Sequence, residues 1–141
     1  MSRSKREIPH YYLGQHIDLR RALAWLEAEN LNRPVTARIL PAALLLRATV
    51  LACVRFPDMN GVFVDGAYHP GEHVNLGVAI SLRQGGLVAP AIMEAETKDL
   101  ARLMEDLKDL VKRTRAGTLR GSEMSESTIT VTNLGDLGVE A

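Results

Sequence analysis

The stretch His73-Val74-Asn75-Leu76-Gly77-Val78-Ala79-Ile80-Ser81-Leu82 alternates apolar and small or polar residues without a break. Val74, Leu76, Val78, Ile80 and Leu82 fall on one face, and Asn75, Gly77, Ala79 and Ser81 on the other. A period of two sustained over this length predicts a half-buried β-strand. The small residues of the second face allow another element to pack closely there. Gln84-Gly85-Gly86 follows as a turn, and Leu87-Val88-Ala89-Pro90-Ala91-Ile92-Met93 reads as the returning strand of a hairpin.

Working outward, residues 97–115 form the clearest helix. Leu100, Leu103, Met104, Leu107, Leu110 and Val111 recur at spacings of three and four. Thr97 is read as its N-cap, the basic Lys112, Arg113 and Arg115 suit the carbonyl end of the helix dipole, and Gly117 ends it. Upstream, Pro41 opens a helix running to Pro57. It is apolar on nearly every side and is therefore placed inside the molecule. The alternating strand should turn Val74, Val78 and Ile80 onto these two helices. Asp18 is expected to cap a further helix, with Leu19, Leu23 and Leu26 on one face, fraying near Asn30 to Pro34. Residues 7–17, with Ile8, Tyr11, Tyr12 and Leu13 after or around a proline, suggest a strand. Gly61-Val62-Phe63-Val64 reads as a short strand with a turn at Asp65-Gly66, residues 121–127 as a polar loop, and residues 128–132 as a last strand. The order of elements predicts a mixed α/β domain. Leu134, Leu137 and Val139 are still apolar beyond that strand, which suggests further sequence downstream.

The bulk properties narrow the function. The 141 residues carry seventeen basic and seventeen acidic side chains, for a formal net charge of zero. A nucleic-acid binder shows a basic excess, so nucleic acid is not an expected partner. The apolar run from Ile39 to Val54 is short for a bilayer and holds Arg47 in its middle, so no membrane span is expected. The basic N-terminus is followed by no apolar core, so it does not read as a secretory signal. The single cysteine, Cys53, sits in an apolar stretch and reads as a buried thiol. A cytoplasmic location follows from these features.

Candidate chemistry is sparse. His10, His16, His69 and His73 show no metal-ligand spacing and there is no cysteine pair, so no metal is expected. His69 and His73 flank Pro70-Gly71 and read as solvated loop residues. No GxSxG elbow or phosphate loop is present. Thr132-Asn133-Leu134-Gly135 places a hydroxyl at a strand end before a tight turn, where it could donate to a developing oxyanion. The same residues are also ordinary strand and turn chemistry. Arg47 is either a snorkelling surface residue or half of an internal ion pair.

Four segments, in order along the chain, resemble the catalytic domain of the dihydrolipoyl acyltransferases of 2-oxo-acid dehydrogenase complexes. These are Ser4-Lys5 with Ile8-Pro9-His10-Tyr11-Tyr12-Leu13, then Phe56-Pro57-Asp58-Met59-Asn60. The hairpin Val74 to Ala79 with Gly86-Leu87-Val88-Ala89-Pro90 follows, and then Thr128 to Gly135 with Gly138-Val139. The resemblance implies a chloramphenicol-acetyltransferase-like mixed sheet with packed helices. It implies direct attack by a thiol, of coenzyme A or dihydrolipoamide, on an acyl thioester, with no covalently bound cofactor. A histidine serves as base, and the hydroxyl at the Thr132 position, usually serine in the family, steadies the oxyanion. A homotrimer or larger assembly is implied, with the site at its subunit interface and other 2-oxo-acid dehydrogenase components as partners. The family's late His-Arg-x-x-Asp-Gly motif does not occur in these 141 residues, and neither does a lipoyl domain. The expectation is therefore a partial catalytic domain over 1–141, clipped at both ends, lacking its base and poorly active alone. His10 lies in a matched segment, but at a position that is not the base in the family. Alternatives are a non-catalytic assembly subunit or, on weaker grounds, an unrelated small α/β ligand-binding domain.

Overall fold

The computed structural model describes residues 2–135. Its helices are α1 (Ser2–Glu7), α2 (Arg20–Leu31), α3 (Pro41–Arg55), α4 (Leu100–Ala116) and α5 (Gly121–Ser125). Its strands are β1 (Gly61–Val64), β2 (Ala67–Pro70), β3 (Leu76–Val78), β4 (Ile80–Ser81), β5 (Leu87–Val88), β6 (Ala91–Ile92) and β7 (Ile129–Val131). The mixed α/β class read from the sequence is the class found.

The hairpin forms, but the single strand read from the alternation is broken at Ala79 into β3 and β4, and the returning strand is broken at Ala89-Pro90 into β5 and β6. β4 pairs antiparallel with β5, and β3 pairs antiparallel with β6, with Leu76 opposite Ile92. Gly85 and Gly86 take φ of 90° and 94°, a region open to glycine because it has no Cβ. β7 then adds to β3 in parallel, giving the sheet order β6-β3-β7. β1 and β2 form a separate hairpin through Asp65 and Gly66, at φ 51° and 78°, the paired positive values of a type I′ turn.

The core lies between the β6-β3-β7 sheet and the helices α3 and α4. Leu46, Val50 and Cys53 from α3 meet Val74, Leu76, Ile80 and Ile92, together with Leu103, Leu107 and Leu110 from α4, and Val78 packs against the edge of this cluster. A smaller cluster joins Leu26 of α2 to Ile39, Ala43 and Met104. The expected packing of Val74, Val78 and Ile80 on the two helices is thus present.

Several local readings need correction. Residues 8–19 form no strand. Every strand pair among the described residues lies between β1 and β7, so an extended segment here has no hydrogen-bonding neighbour in the chain. Tyr11, Tyr12, Leu13 and Ile17 are 72–86% exposed. Helix α3 is not interior on all sides. Only Ala43, Leu46, Val50 and Cys53 are buried, while Leu45, Leu51 and Val54 face solvent, because sheet and α4 cover one flank alone. The N-cap of α4 is Asp99, whose carboxylate accepts from the Arg102 amide at 2.8 Å, and Thr97 belongs to a preceding 3₁₀ turn. Leu19, not Asp18, is the capping residue of α2, although Asp18 Oδ1 still accepts from the Arg20 amide at 3.0 Å. The polar loop at 121–127 contains α5, held by Glu123 accepting from the Arg120 amide. His69 lies in β2 opposite Val62, not in a loop. Gly117 ends α4 at φ 71°, as read. The expected turn over Asn133 to Gly138 is described only as far as Gly135, so Leu137 and Val139 lie outside the described residues.

The segment Val35–Arg55 is long and apolar enough by composition to cross a membrane. Extended backbone at Arg38 and Leu40 divides it. The 15-residue α3 that remains spans about 22 Å, less than the ~30 Å of a bilayer core.

Candidate functional site

Thr132 follows directly on β7, so its position depends on how that strand is held. Parallel pairing sets Leu76 against Ile129, Gly77 against Thr130 and Val78 against Val131. A Cβ at Gly77 would lie 2.5 Å from Ser127 Oγ and 2.8 Å from Thr130 Oγ1, so a larger residue there would have to push these hydroxyls aside. At the start of β7 a polar lattice replaces apolar packing. The Thr128 hydroxyl donates to Asn60 Oδ1 at 2.6 Å and accepts from the Asn75 amide at 3.0 Å. Asn60, only 4% exposed, donates through Nδ2 to the His73 carbonyl at 3.0 Å. Asn75 donates through Nδ2 to the Glu126 carbonyl and accepts at Oδ1 from the Glu94 amide, both at 3.0 Å. Polar groups with this many partners, Asn60 buried and Asn75 and Thr128 half-buried, fix a geometry.

At the other end, the Ala79 amide donates to the Val131 carbonyl at 3.1 Å. Beyond it, Asn133 Oδ1 accepts from the Gly135 amide at 2.9 Å, an Asx turn with Gly135 at φ 56°. The Thr132 side chain is exposed and makes no hydrogen bond with any described residue. It stands at a groove of about 330 Å³ lined by aliphatic side chains, among them Leu45, Leu46, Val78, Leu107 and Leu134. An exposed hydroxyl beside an apolar groove can donate to an oxygen that gains charge there.

None of the four histidines lines that groove. His10 lies in the exposed N-terminal segment, where its Nδ1 is 3.0 Å from the Ile8 carbonyl and its ring meets Tyr12 edge-on at 5.6 Å. His16 is exposed in the same segment. His73 is no free loop histidine. Its Nδ1 lies 2.7 Å from Glu96 Oε1 and its Nε2 3.4 Å from Glu94 Oε1. The hydrogen bond to Glu96 raises the imidazole above its ordinary value near 6.5, and nearby Glu94 and Glu72 act in the same direction.

Arg47 matches neither alternative read from the sequence in full. Its Nη1 is buried without a hydrogen-bond partner, and no ion pair forms among the described residues. The internal ion pair belongs instead to Arg113. It makes a bidentate contact with the Glu123 carboxylate, 2.7 Å on both arms, and a further 2.7 Å contact with Asp109. Burial pushes the Cys53 thiol up, which disfavours the thiolate. Among the described residues no cluster could hold a metal ion.

Two features escaped the sequence reading. Asn60 stood in a matched segment, but its role as a bolt between β1, His73 and Thr128 carried no local signal. The His73–Glu96 pair joins residues 23 positions apart that neither spacing nor periodicity connects.

The same arrangement of helices and strands occurs in solved acyltransferase cores. Azotobacter vinelandii dihydrolipoamide acetyltransferase superposes with a TM-score of 0.87 at 24% identity, covering 99% of this chain and 58% of that one. A probable dihydrolipoamide acetyltransferase from Listeria monocytogenes gives 0.86 at 24% identity, covering 98% and 59%. These likenesses define the fold as that of an acyltransferase catalytic core. The sequence carries the assignment to its family: the chain belongs to the 2-oxoacid dehydrogenases acyltransferase (catalytic domain) family, whose model matches residues 1–141. Among curated relatives, the acetyltransferase component of the mitochondrial pyruvate dehydrogenase complex of Caenorhabditis elegans is 35% identical over 98% of this chain. The corresponding component from Rhizobium meliloti is 32% identical over 97%. The chain spans 28% and 32% of the length of these two relatives.

Proposed function

We propose that this chain takes part in acyl transfer between dihydrolipoamide and coenzyme A, with Thr132 as the donor to the tetrahedral oxyanion. The attacking thiolate adds to the thioester carbonyl, negative charge develops on the carbonyl oxygen, and the Thr132 hydroxyl donates to it. Collapse of the adduct expels the other thiolate. No acyl-enzyme is formed. The observation that carries this reading is the exposed hydroxyl of Thr132, which bonds to no described residue and is held by the β7 register at an apolar groove in a Thr-Asn-Leu-Gly turn. Threonine keeps the donor that serine would supply and adds a methyl group. The base is a histidine from a His-x-x-x-Asp-Gly segment, which these 141 residues do not contain. In this reading they make up part of a catalytic domain and act within a homotrimer or larger core, alongside the other 2-oxo-acid dehydrogenase components. The relatives include both bacterial and mitochondrial proteins, and for this chain we propose the cytoplasm.

A second reading is favoured by the absence of any histidine at the groove: a subunit that keeps the fold for assembly and carries out no chemistry. One experiment separates the two. Transfer of acetyl from acetyl-coenzyme A to dihydrolipoamide is measured for the chain alone, and again with a segment carrying His-x-x-x-Asp-Gly joined or added. The catalytic reading expects little turnover in the first case and recovery in the second. It also expects Thr132→Val to lower kcat of the restored protein by about 10²–10³. No turnover in the restored protein supports the assembly role, and an unchanged rate in Thr132→Val returns Thr132 to a strand-end residue.

A further inference from the structure

The His73 side chain occupies a position that the acyl-transfer reading does not use. It stands at the start of the central strand, between the β1–β2 hairpin and the turn that launches α4. Glu96 grips this point twice: one carboxylate oxygen takes the imidazole Nδ1 at 2.7 Å, and the other accepts from the Val74 amide at 3.0 Å. Glu94 closes from the other side of the ring at 3.4 Å. Glu94 also holds a left-handed backbone, φ 49° and ψ 45°, which is costly for a residue with a Cβ. Its amide is held there by Asn75 Oδ1. The carbonyl of the same His73 receives Asn60 Nδ2. One residue thus ties together β1, the approach to β3 and the turn before α4.

We propose that His73 is a proton-operated clamp: its imidazolium, held between Glu94 and Glu96, fastens the turn at 94–97 to the start of β3, and loss of the proton loosens that end of the sheet. The charged groups facing the ring are Glu94 and Glu96 from the turn and Glu72 from its own segment. Asn60, from the β1 side, and Thr128, from the β7 side, present only neutral groups to the His73 carbonyl. Among the described residues no cation acts on the ring, so protonation meets three carboxylates. Neutral His73 retains a hydrogen bond to Glu96 only in the tautomer protonated at Nδ1, and it then offers no proton to Glu94 on the opposite nitrogen. Glu94 then keeps a strained backbone with one fewer contact to hold it.

The sign of the linkage follows. The folded imidazole binds its proton more tightly than an unfolded histidine. The clamp therefore contributes fully below the ordinary histidine value near 6.5 and is lost as pH rises through the higher folded value. The test uses the full chain, with imidazole carbon-bound proton resonances followed by NMR and amide exchange corrected for its intrinsic pH dependence. His73 is expected to titrate above the ordinary histidine value near 6.5, and the protection of the Val74 amide and of the Ala95 amide, which donates to the Val74 carbonyl at 2.8 Å, is expected to fall through that same midpoint. Each unit by which the folded midpoint exceeds the unfolded one should appear as about a tenfold change in protection. Glu96→Gln should lower the midpoint. Glu94→Gln should lower it less and leave the Val74 amide paired. His73→Gln should abolish the pH dependence of exchange at both amides while the far-ultraviolet spectrum stays unchanged. Titration of His73 at or below the ordinary histidine value near 6.5 would overturn the proposal, and so would pH-independent protection of Val74 and Ala95. If His73→Gln fails to fold, Glu94→Gln still decides, because it removes one arm of the clamp from an exposed position.

Discussion

Glu123 is one of the few charged side chains in the interior, 6% exposed, and it survives there because its carboxylate is fully engaged. Two arms of Arg113 and the Arg120 amide donate to it. The Arg113 guanidinium holds its carboxyl below the usual carboxylate value of 4.5, against the opposing effect of burial. A group whose folded value is depressed stabilises the fold above its unfolded value, and this contribution is lost as pH falls through the folded one. Acid unfolding should therefore show a component below pH 4.5 that disappears in Glu123→Gln. The same variant should lose about 1.5–3 kcal/mol at neutral pH in urea denaturation. Arg113 would keep Asp109 as a partner at 2.7 Å, which limits the loss. An acid limb that is unchanged in the variant would show that Glu123 contributes nothing to the pH dependence.

At the scale of elements, helix α4 shows how sequence pattern and packing agree. Leu103, Met104, Leu107 and Leu110 are buried, and Leu107 meets both the sheet and α3 through the main core cluster. Leu107→Ala should cost about 2–5 kcal/mol by chemical denaturation, whereas a change within about 0.5 kcal/mol would put the residue at the surface. The hairpin was equally legible, because Val74 to Leu82 carries a period that only a strand satisfies. The reading failed where a segment depends on what lies beside it. Ile8 to Leu13 has strand-forming residues, but pairing requires a neighbour that the described chain does not offer. Helix α3 is apolar all round, which says that it should be covered and not by what. For the site, the sequence showed Thr132 at a strand end. It could not show that its hydroxyl stands exposed at a groove, because that depends on the Asx turn of Asn133 and on the register with β3. The lattice of Asn60, Asn75 and Thr128 was illegible for the same reason: the links between them span up to 68 residues.

Among the described residues, open apolar surface includes the N-terminal segment with Tyr11, Tyr12, Leu13 and Ile17, and the outer flank of α3 with Leu45, Leu51 and Val54. Monomeric proteins rarely expose contiguous apolar patches of large area. Sedimentation velocity over a range of concentrations should show self-association, with a threefold species as the expected closed form. A sharp monomer at high concentration would contradict it. The parallel pairing of β3 with β7 has a further consequence, which concerns time. The β4–β5 pair closes across the five residues 82–86 and can form while the chain is still short. The Asn75–Thr128 bond, by contrast, closes a loop of 53 residues and has α4 and α5 within it. Closing such a loop before its interior has condensed costs entropy that no local contact returns. The strand that leads into Thr132 is therefore expected to dock only after α4 and α5 have condensed, so the groove beside Thr132, which Leu107 of α4 also lines, should be completed late in folding.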